Sequence, residues 1–472
     1  MESTGNVWEN LGKPRYILAP MVEQSELAWR MLSRKHGVQL CFAPMLHSQN
    51  FVQDRKYRKE FFTTCLEDRP LVVQFCGNDP KVLLEAAKLV EDSCDVIDLN
   101  LGCPQAIAKR GFYGSYLQDE WKLIFEIVKT LRQNLKVPVS CKIRIFEDVS
   151  KTILYAKMLE EAGCQMLSVH GRTRDQKGRM TGLANWCQIK AVKENVTIPV
   201  LANGNIQVYQ DVQRCLKETL CEGVMSAEGH LHNPYIFDNQ SPPVWEPALE
   251  YLDLSEQYPC PLSNTRGHLF KLCYHLFCLP ENELIREILA KGQNRNDFRN
   301  AIMQLKLKYL PYHLGQKPWD NIQNDYNLIL PPWLCQSYVR VLPVNNLDGI
   351  ETHKEVNKLK TDEKENLKRS IDDEDCTDPL KLSKKKLKQL NKLKNKEIRC
   401  KRILEELCSE CRNPKGLKCE YKLCKKCCRN KCYLEIADCA GHRILIKTKK
   451  NYSCHKQKDK ELNCKQMCTE VS

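Results

Sequence analysis

Between residues 15 and 226, short apolar and β-branched runs alternate with longer stretches of helical spacing. RYILAP (15–20), QLCFAP (39–44), PLVVQFC (70–76) and DVIDLNL (95–101) predict four strands. PVSCKIRI (138–145), QMLSVH (165–170), IPVLAN (198–203) and EGVMS (222–226) predict four more. Between them lie helical patterns such as DPKVLLEAAKLVED (79–92) and KTILYAKMLEEAG (151–163). Near-continuous apolar strands interleaved with helices call for a parallel sheet covered on both faces. Eight such units fit an α/β fold of the (β/α)8, or TIM-barrel, type. An open doubly wound sheet is the rival, but no GxGxxG follows the first strand, so its dinucleotide signature is missing.

The ends of the strands strengthen the barrel reading. Pro20, Gln74, Asn100, Lys142, His170, Asn203 and Ser226 stand at or near them. Barrel strands all open their C-terminal ends onto one face, where active sites lie, so these residues converge there. The barrel is expected over residues 12–240. From 241 to 344 the pattern changes to helical stretches with basic residues, such as TRGHLFKLCYHLF (265–277) and ENELIREILAKG (281–292), predicting a small all-helical domain. Residues 345–400 are charged and poor in aromatics, as expected of a flexible linker. Residues 401–445 form a Cys-rich module, and 446–472 a basic tail.

Charge sharpens this division. The 472-residue chain carries a formal net charge of +14, and residues 351–472 alone hold 33 Lys and Arg against 20 Asp and Glu. The excess therefore sits on the C-terminal appendage, which favours a polyanionic partner, nucleic acid before a membrane surface. The N-terminus lacks a basic region followed by an apolar core, and no apolar run approaches a membrane span. The expectation is a cytoplasmic or nuclear protein, a monomer without membrane contact. KKKLKQLNKLKNK (384–396) reads either as a nuclear signal or as an RNA-binding run. Of 27 cysteines, 12 fall in residues 400–472. In a reducing compartment, clustered thiols point to metal rather than disulfides.

The sharpest chemical feature is Asn100-Leu101-Gly102-Cys103-Pro104. A strand ends in Asn, Gly permits a tight turn, and Pro prevents the strand from continuing. Cys103 is thereby presented at the rim, as a general acid or as a nucleophile. Lys142 interrupts an apolar strand, where a cation must meet an anion or an electron-rich ring. Arg144 faces the same way by strand alternation. His170 ends its strand ahead of Gly171-Arg172, a position suited to ligand contact. Asn203-Gly204-Asn205 and Ala227-Glu228-Gly229 follow the last two strands, the usual phosphate corner of such barrels. A phosphorylated cofactor is implied, with flavin mononucleotide (FMN) favoured over a dinucleotide.

LAPMV (18–22), QFC (74–76), DLNLGCP (98–104), CKIR (141–144), VHGRT (169–173) and ANGN (202–205) occur in order at successive strand ends. Together, over residues 15–340, they resemble the tRNA-dihydrouridine synthase family, and within it the eukaryotic branch that acts on positions 16 and 17 of the D-loop. The resemblance implies reduction of uridine by FMN, itself reduced by NADPH or NADH, with tRNA as partner. It implies that Pro20, Met21 and Val22 line the flavin, that Gln74, Lys142 and His170 contact it, and that Asn203, Gly204, Asn205, Ala227 and Glu228 hold its phosphate side. It makes Cys103 the proton donor and Asn100 an orienting group for uracil; Arg144 and Arg172 are further candidates for substrate contact. Two departures stand out. Many members of the family have Asn-Gly-Asp in place of Asn203-Gly204-Asn205, and Gly-Arg in place of Ala227-Glu228. A glutamate cannot take over from arginine as a phosphate partner. Arg266, His268 and Lys271 are the candidate RNA contacts on the helical domain.

The Cys-rich module supplies nine candidate metal ligands: Cys408, Cys411, Cys419, Cys424, Cys427, Cys428, Cys432, Cys439 and His442. Cys408–Cys411 and Cys424–Cys427 are CxxC pairs, a pattern that predicts zinc, and nine ligands suffice for two four-coordinate sites with one to spare. Two rival functions remain open from the sequence: a flavin barrel acting on a free pyrimidine, similar to dihydroorotate dehydrogenase, and a non-catalytic RNA-binding scaffold.

Overall fold

The computed structural model describes residues 7–178, 181–319, 328, 330–338, 408–409, 419–442 and 444–448. The expected linker, Cys411 and all of the tail beyond residue 448 lie outside the described residues. All eight expected strands form. They are β1 (Tyr16–Leu18), β2 (Leu40–Phe42), β4 (Leu71–Cys76), β5 (Val96–Leu101), β6 (Val139–Arg144), β7 (Met166–His170), β8 (Val200–Asn203) and β9 (Gly223–Ser226). A two-residue strand β3 (Leu46–His47) adds itself between β2 and β4 and pairs with the upper half of β4. Every pairing in this sheet is parallel, and the β2–β4 pairing closes it into a barrel.

Alternation along the strands makes two different surfaces. Outward residues such as Val73, Ile97, Leu99, Cys141, Ile143, Leu167, Val169 and Ala202 belong to the large core beneath the helices. Inward residues at the lower end, including Ile17, Leu40, Phe42, Val72, Val96, Met166, Leu201 and Met225, form a separate apolar plug together with Trp8. Higher up, the inward positions turn polar. Gln74 pairs in register with Asp98, Asp98 with Ser140, Asn100 with Lys142, Arg144 with His170 and His170 with Asn203. The barrel is therefore filled by hydrocarbon below and by a polar layer above. Several outer helices start where the sequence offers a cap. Asp79 accepts hydrogen bonds from Lys81 N and Val82 N at the start of Pro80–Lys88, and Asp148 caps Val149–Glu161.

Beyond the barrel, helices run over Trp245–Gln257, Leu262–Leu272, Tyr274–Phe277, Glu283–Lys291 and Arg295–His313. They lie in the same compact unit as the barrel, and their apolar faces, among them Tyr251, Leu269 and Phe298, join its outer core. This packing corrects one expectation. His268 is fully buried; it stacks on Trp29 at 3.9 Å and meets Glu26 Oε2 at 3.1 Å. It is a joint between helix and barrel and has no surface to offer RNA. Arg266 donates to the carbonyls of Gly292 and Leu289, and Lys271 to Gln24 Oε1. Helical spacing shows that a helix forms, but basic residues can sit on its inward face when acceptors await them there.

The described part of the Cys-rich segment is a second unit. It holds one helix, Lys425–Leu434, and a small antiparallel pair, β10 (Asp438–Cys439) and β11 (Ile444–Leu445). No described cysteine is in a disulfide, and no helix among the described residues is long and apolar enough to cross a membrane.

Candidate active site

The polar layer at the top of the barrel is a continuous hydrogen-bonded chain. Ser140 Oγ donates to Asp98 Oδ1 at 2.6 Å, and Gln74 Nε2 donates to Asp98 Oδ2 at 2.8 Å. Fixing the Gln74 amide this way turns its Oε1 towards Asn100, whose Nδ2 donates to it at 2.8 Å. Asn100 then spends its own Oδ1 on the turn, accepting from Gly102 N at 3.2 Å and Cys103 N at 2.9 Å. A buried carboxylate thus sets the geometry of the cysteine turn through two amide side chains. Burial raises the Asp98 carboxyl to about 6, although the bonds from Ser140 and Gln74 and the charge of Lys142 pull it back.

Cys103 is half-buried, in a small cluster with Cys76, Ala108, Tyr113, Met45 and Tyr116. Its carbonyl accepts from both the N–H and the hydroxyl of Ser115. Arg144 braces the turn from the other side: its Nε donates to Gly102 O, and its terminal nitrogen to Thr173 O and Gln176 O. Burial pushes the Cys103 thiol above its ordinary value; the Gln105 backbone N–H and the Arg144, Lys142 and Lys177 charges only partly offset it. At neutral pH the group is S–H, which suits an acid and not a nucleophilic thiolate.

Lys142 is buried and donates to Asn203 Oδ1 at 3.0 Å, while Asn203 Nδ2 is anchored on Met225 O. Burial and the neighbouring Arg144 lower the Lys142 ammonium to about 8, with Asp98 and Cys103 acting in the opposite direction. His170 is held well below its usual range, first by burial and then by the charges of Lys142, Arg144 and Arg172. It is neutral. Arg172 approaches His170 Nε2 at 3.0 Å and can only donate, so Nε2 is the acceptor and the proton sits on Nδ1. Arg172 also donates to Asn205 Oδ1 at 2.5 Å.

His170, Arg172 and Asn203 open onto a cleft of about 260 Å³, lined also by Pro104, Arg144, Lys177, Gly204–Gln207 and Ala227–Gly229. That volume lies just below the usual range of small-molecule sites, about 300–1,000 Å³. Gly204 has φ +116°, and a Cβ there would lie 2.7 Å from Ala184 Cβ and 3.1 Å from His170 Cδ2, so only glycine fits. A second cleft of about 290 Å³ is lined by Met45, Cys76 and Tyr113 of the cysteine cluster, by Val22, Tyr57 and Phe61, and by Pro259–Pro261 from the helical region. Pro20 and Met21 follow the end of β1, and Ser25 Oγ accepts from Met21 N.

The structure therefore gathers Cys103, Asn100, Gln74, Lys142, Arg144, His170, Arg172, Asn203, Gly204 and Asn205 at one rim, and sets Ala227 and Glu228 along the same cleft. Val22 lies at the second cleft. Sequence reasoning missed Asp98 and Ser140. The signal was present, because Asp98 is in phase with Asn100 and Ser140 with Lys142. It also missed Cys76 and Tyr113, whose proximity to Cys103 depends on how the loop after β5 folds back.

The family model for dihydrouridine synthase (Dus) matches residues 17–297. The chain belongs to the dihydrouridine synthase family. A mouse protein named as a tRNA-dihydrouridine(16/17) synthase-like enzyme of NAD(P)+ is 49% identical, over 93% of this chain and 90% of its own. The tRNA-dihydrouridine(16/17) synthase of Saccharomyces cerevisiae is 42% identical, over 78% of this chain and 92% of its own. A human protein named for positions 20a and 20b is 37% identical, over 63% of this chain and 90% of its own. The family match spans the barrel from β1 onwards and runs into the helical region, so the polar rim and both clefts belong to the shared enzyme body, that of an oxidoreductase.

Proposed function

We propose that the chain reduces uridine to 5,6-dihydrouridine in the D-loop of tRNA, at positions 16 and 17, with FMN as bound cofactor and NADPH or NADH as reductant. The observation that carries this reading is Cys103, a thiol kept protonated by burial and followed directly by Pro104, which lines a cleft together with neutral His170 and cationic Arg172. The choice of positions rests on the relatives, since those named for 16 and 17 are more similar than the one named for 20a and 20b.

The residues present suit a flavin. The Lys142 ammonium has three donors and makes one hydrogen bond among the described residues, to Asn203, which leaves donor capacity for an electron-rich ring. Gly204 lets the chain turn at positive φ while packing directly against Ala184 and His170. Glu228 brings no positive charge to the phosphate side, and Arg172, already beside Asn205, supplies it instead. When bound and reduced, the flavin supplies a hydride for C6 of uracil. Cys103 holds the proton that goes to C5, completing reduction of the C5=C6 bond. Asn100 and Arg144 fix the turn that carries this thiol. The second cleft, walled by Tyr57, Phe61 and Tyr113, offers aromatic faces to a base taken out of its stack. The tRNA body would be held through its phosphates by basic residues of the helical region and the C-terminal segments.

The purified protein should be yellow and show a flavin absorption band. A colourless protein that still bound tRNA would support the scaffold reading instead. Arg172→Met is expected to weaken FMN binding about 10–100-fold, as for loss of a hydrogen bond to a charged group worth roughly 1.5–3 kcal/mol. Fluorescence titration of the flavin-free protein measures this; unchanged affinity would remove Arg172 from the phosphate side.

A further inference from the structure

The buried centre of the C-terminal unit consists of Cys408, Cys419, Leu423, Cys424, Cys428, Cys432, Cys439 and Ile444. Six of these eight are cysteines, and only two are aliphatic. So little hydrocarbon cannot by itself order a unit of this size; small domains of this kind need disulfides or metal. Disulfides are absent among the described cysteines. The sulfurs lie too far apart for them as well: Cys439 Sγ is 4.0 Å from Cys419 Sγ, and Cys428 Sγ is 4.0 Å from Cys432 Sγ, against about 2 Å for an S–S bond.

The spacing suits a shared ion. Four ligands placed tetrahedrally about 2.3 Å from zinc stand about 3.8 Å from one another. Cys439 Sγ is 3.8 Å from His442 Nδ1, and the ligand atoms of Cys419, Cys428, Cys439 and His442 all lie within 4.8 Å of one another. A second set, Cys408, Cys424 and Cys427, meets the same criterion. Local structure prepares both sets. Cys424 is the N-cap of the helix Lys425–Leu434, and its sulfur accepts the Cys427 N–H at 3.5 Å, which favours a thiolate at the positive end of the helix. Cys439 and His442 are presented by the β10–β11 pair and the turn between its strands. The two sets interleave along the chain, so the helix carries ligands of both. Cys432 is fully buried on that helix yet belongs to neither set.

We propose that the C-terminal unit binds two zinc ions, one through Cys419, Cys428, Cys439 and His442 and the other through Cys408, Cys424 and Cys427, and that Cys432 is packing rather than a ligand. Each thiol loses its proton on binding, and no redox change is involved. Zinc is favoured over an iron–sulfur cluster because the first set includes an imidazole and all its members converge on one point.

The test is metal analysis of the full-length protein, purified without chelator and dialysed exhaustively. Two zinc per chain are expected, with Cys439→Ser reduced to one and Cys432→Ser retaining two. Stepwise titration of the unsubstituted protein with a mercurial thiol reagent should release zinc in proportion to thiols consumed, which needs no variant to fold. Finding no zinc, or iron with inorganic sulfide, would overturn the proposal. So would a Cys432→Ser protein that loses as much zinc as Cys439→Ser. None of these readouts depends on flavin content or uridine reduction.

Discussion

Replacing Cys103 with alanine should slow uridine reduction by about 10²–10⁴-fold, the range for loss of a positioned general acid. The same protein should retain its flavin and still oxidise NADPH. The asymmetry follows from the geometry. Cys103 faces a cluster of Cys76, Tyr113 and Tyr116, and its main chain is tied to Asn100 and Ser115 rather than to the groups at the phosphate side. Removing Sγ deletes a proton source and leaves Lys142, His170, Arg172 and Asn203 connected as before. Single-turnover reduction of a tRNA transcript, set beside flavin content, measures both halves. A variant that lost its flavin would move Cys103 to cofactor binding, and one that reduced uridine at the original rate would remove it from the chemistry.

Lys142→Met should lower uridine reduction by about 10²–10³-fold, as for loss of one preorganised electrostatic donor. It should also change the pH profile. The Lys142 ammonium is lowered to about 8, so it carries its charge below that pH and loses it above. If the charged form is the active one, kcat/KM for tRNA falls as pH rises through about 8. The Cys103 thiol, raised by burial, stays protonated beyond that point and does not set this limb. His170 is already neutral and contributes no titration near 7. Lys142→Met should therefore be slow and flat across the same window. An alkaline limb that persisted in the variant would assign it to another group.

Much of this was legible in the sequence. The eight apolar runs each became a strand within one or two residues of the expected ends, because parallel barrel strands are buried on both faces and need near-continuous hydrocarbon. The rim was legible too, since Gln74, Asn100, Lys142, His170 and Asn203 break those runs where the barrel opens. What escaped was any feature that depends on tertiary placement. Arg144 and Lys142 share a face, but nothing in the spacing shows that Arg144 reaches back to Gly102 O to clamp the cysteine turn. Asp98 shows no role in the sequence, because it orients Gln74 through a contact that crosses strands. His268 looked like an RNA contact because a helix pattern does not reveal which partner waits on its inner face. The cysteine module shows the same divide. Its composition pointed to metal, while the grouping of the ligand atoms into two sets that do not include Cys432 emerged only from the distances.

The most direct test of the central claim uses the purified protein, NADPH and an unmodified D-loop-containing tRNA transcript. After incubation, nuclease fragments are sequenced by mass spectrometry. The account predicts a gain of two hydrogens at uridines 16 and 17 and at no other uridine, dependent on NADPH and bound flavin. A transcript left unchanged by flavin-loaded, NADPH-oxidising protein, or reduction confined to other positions, would contradict it.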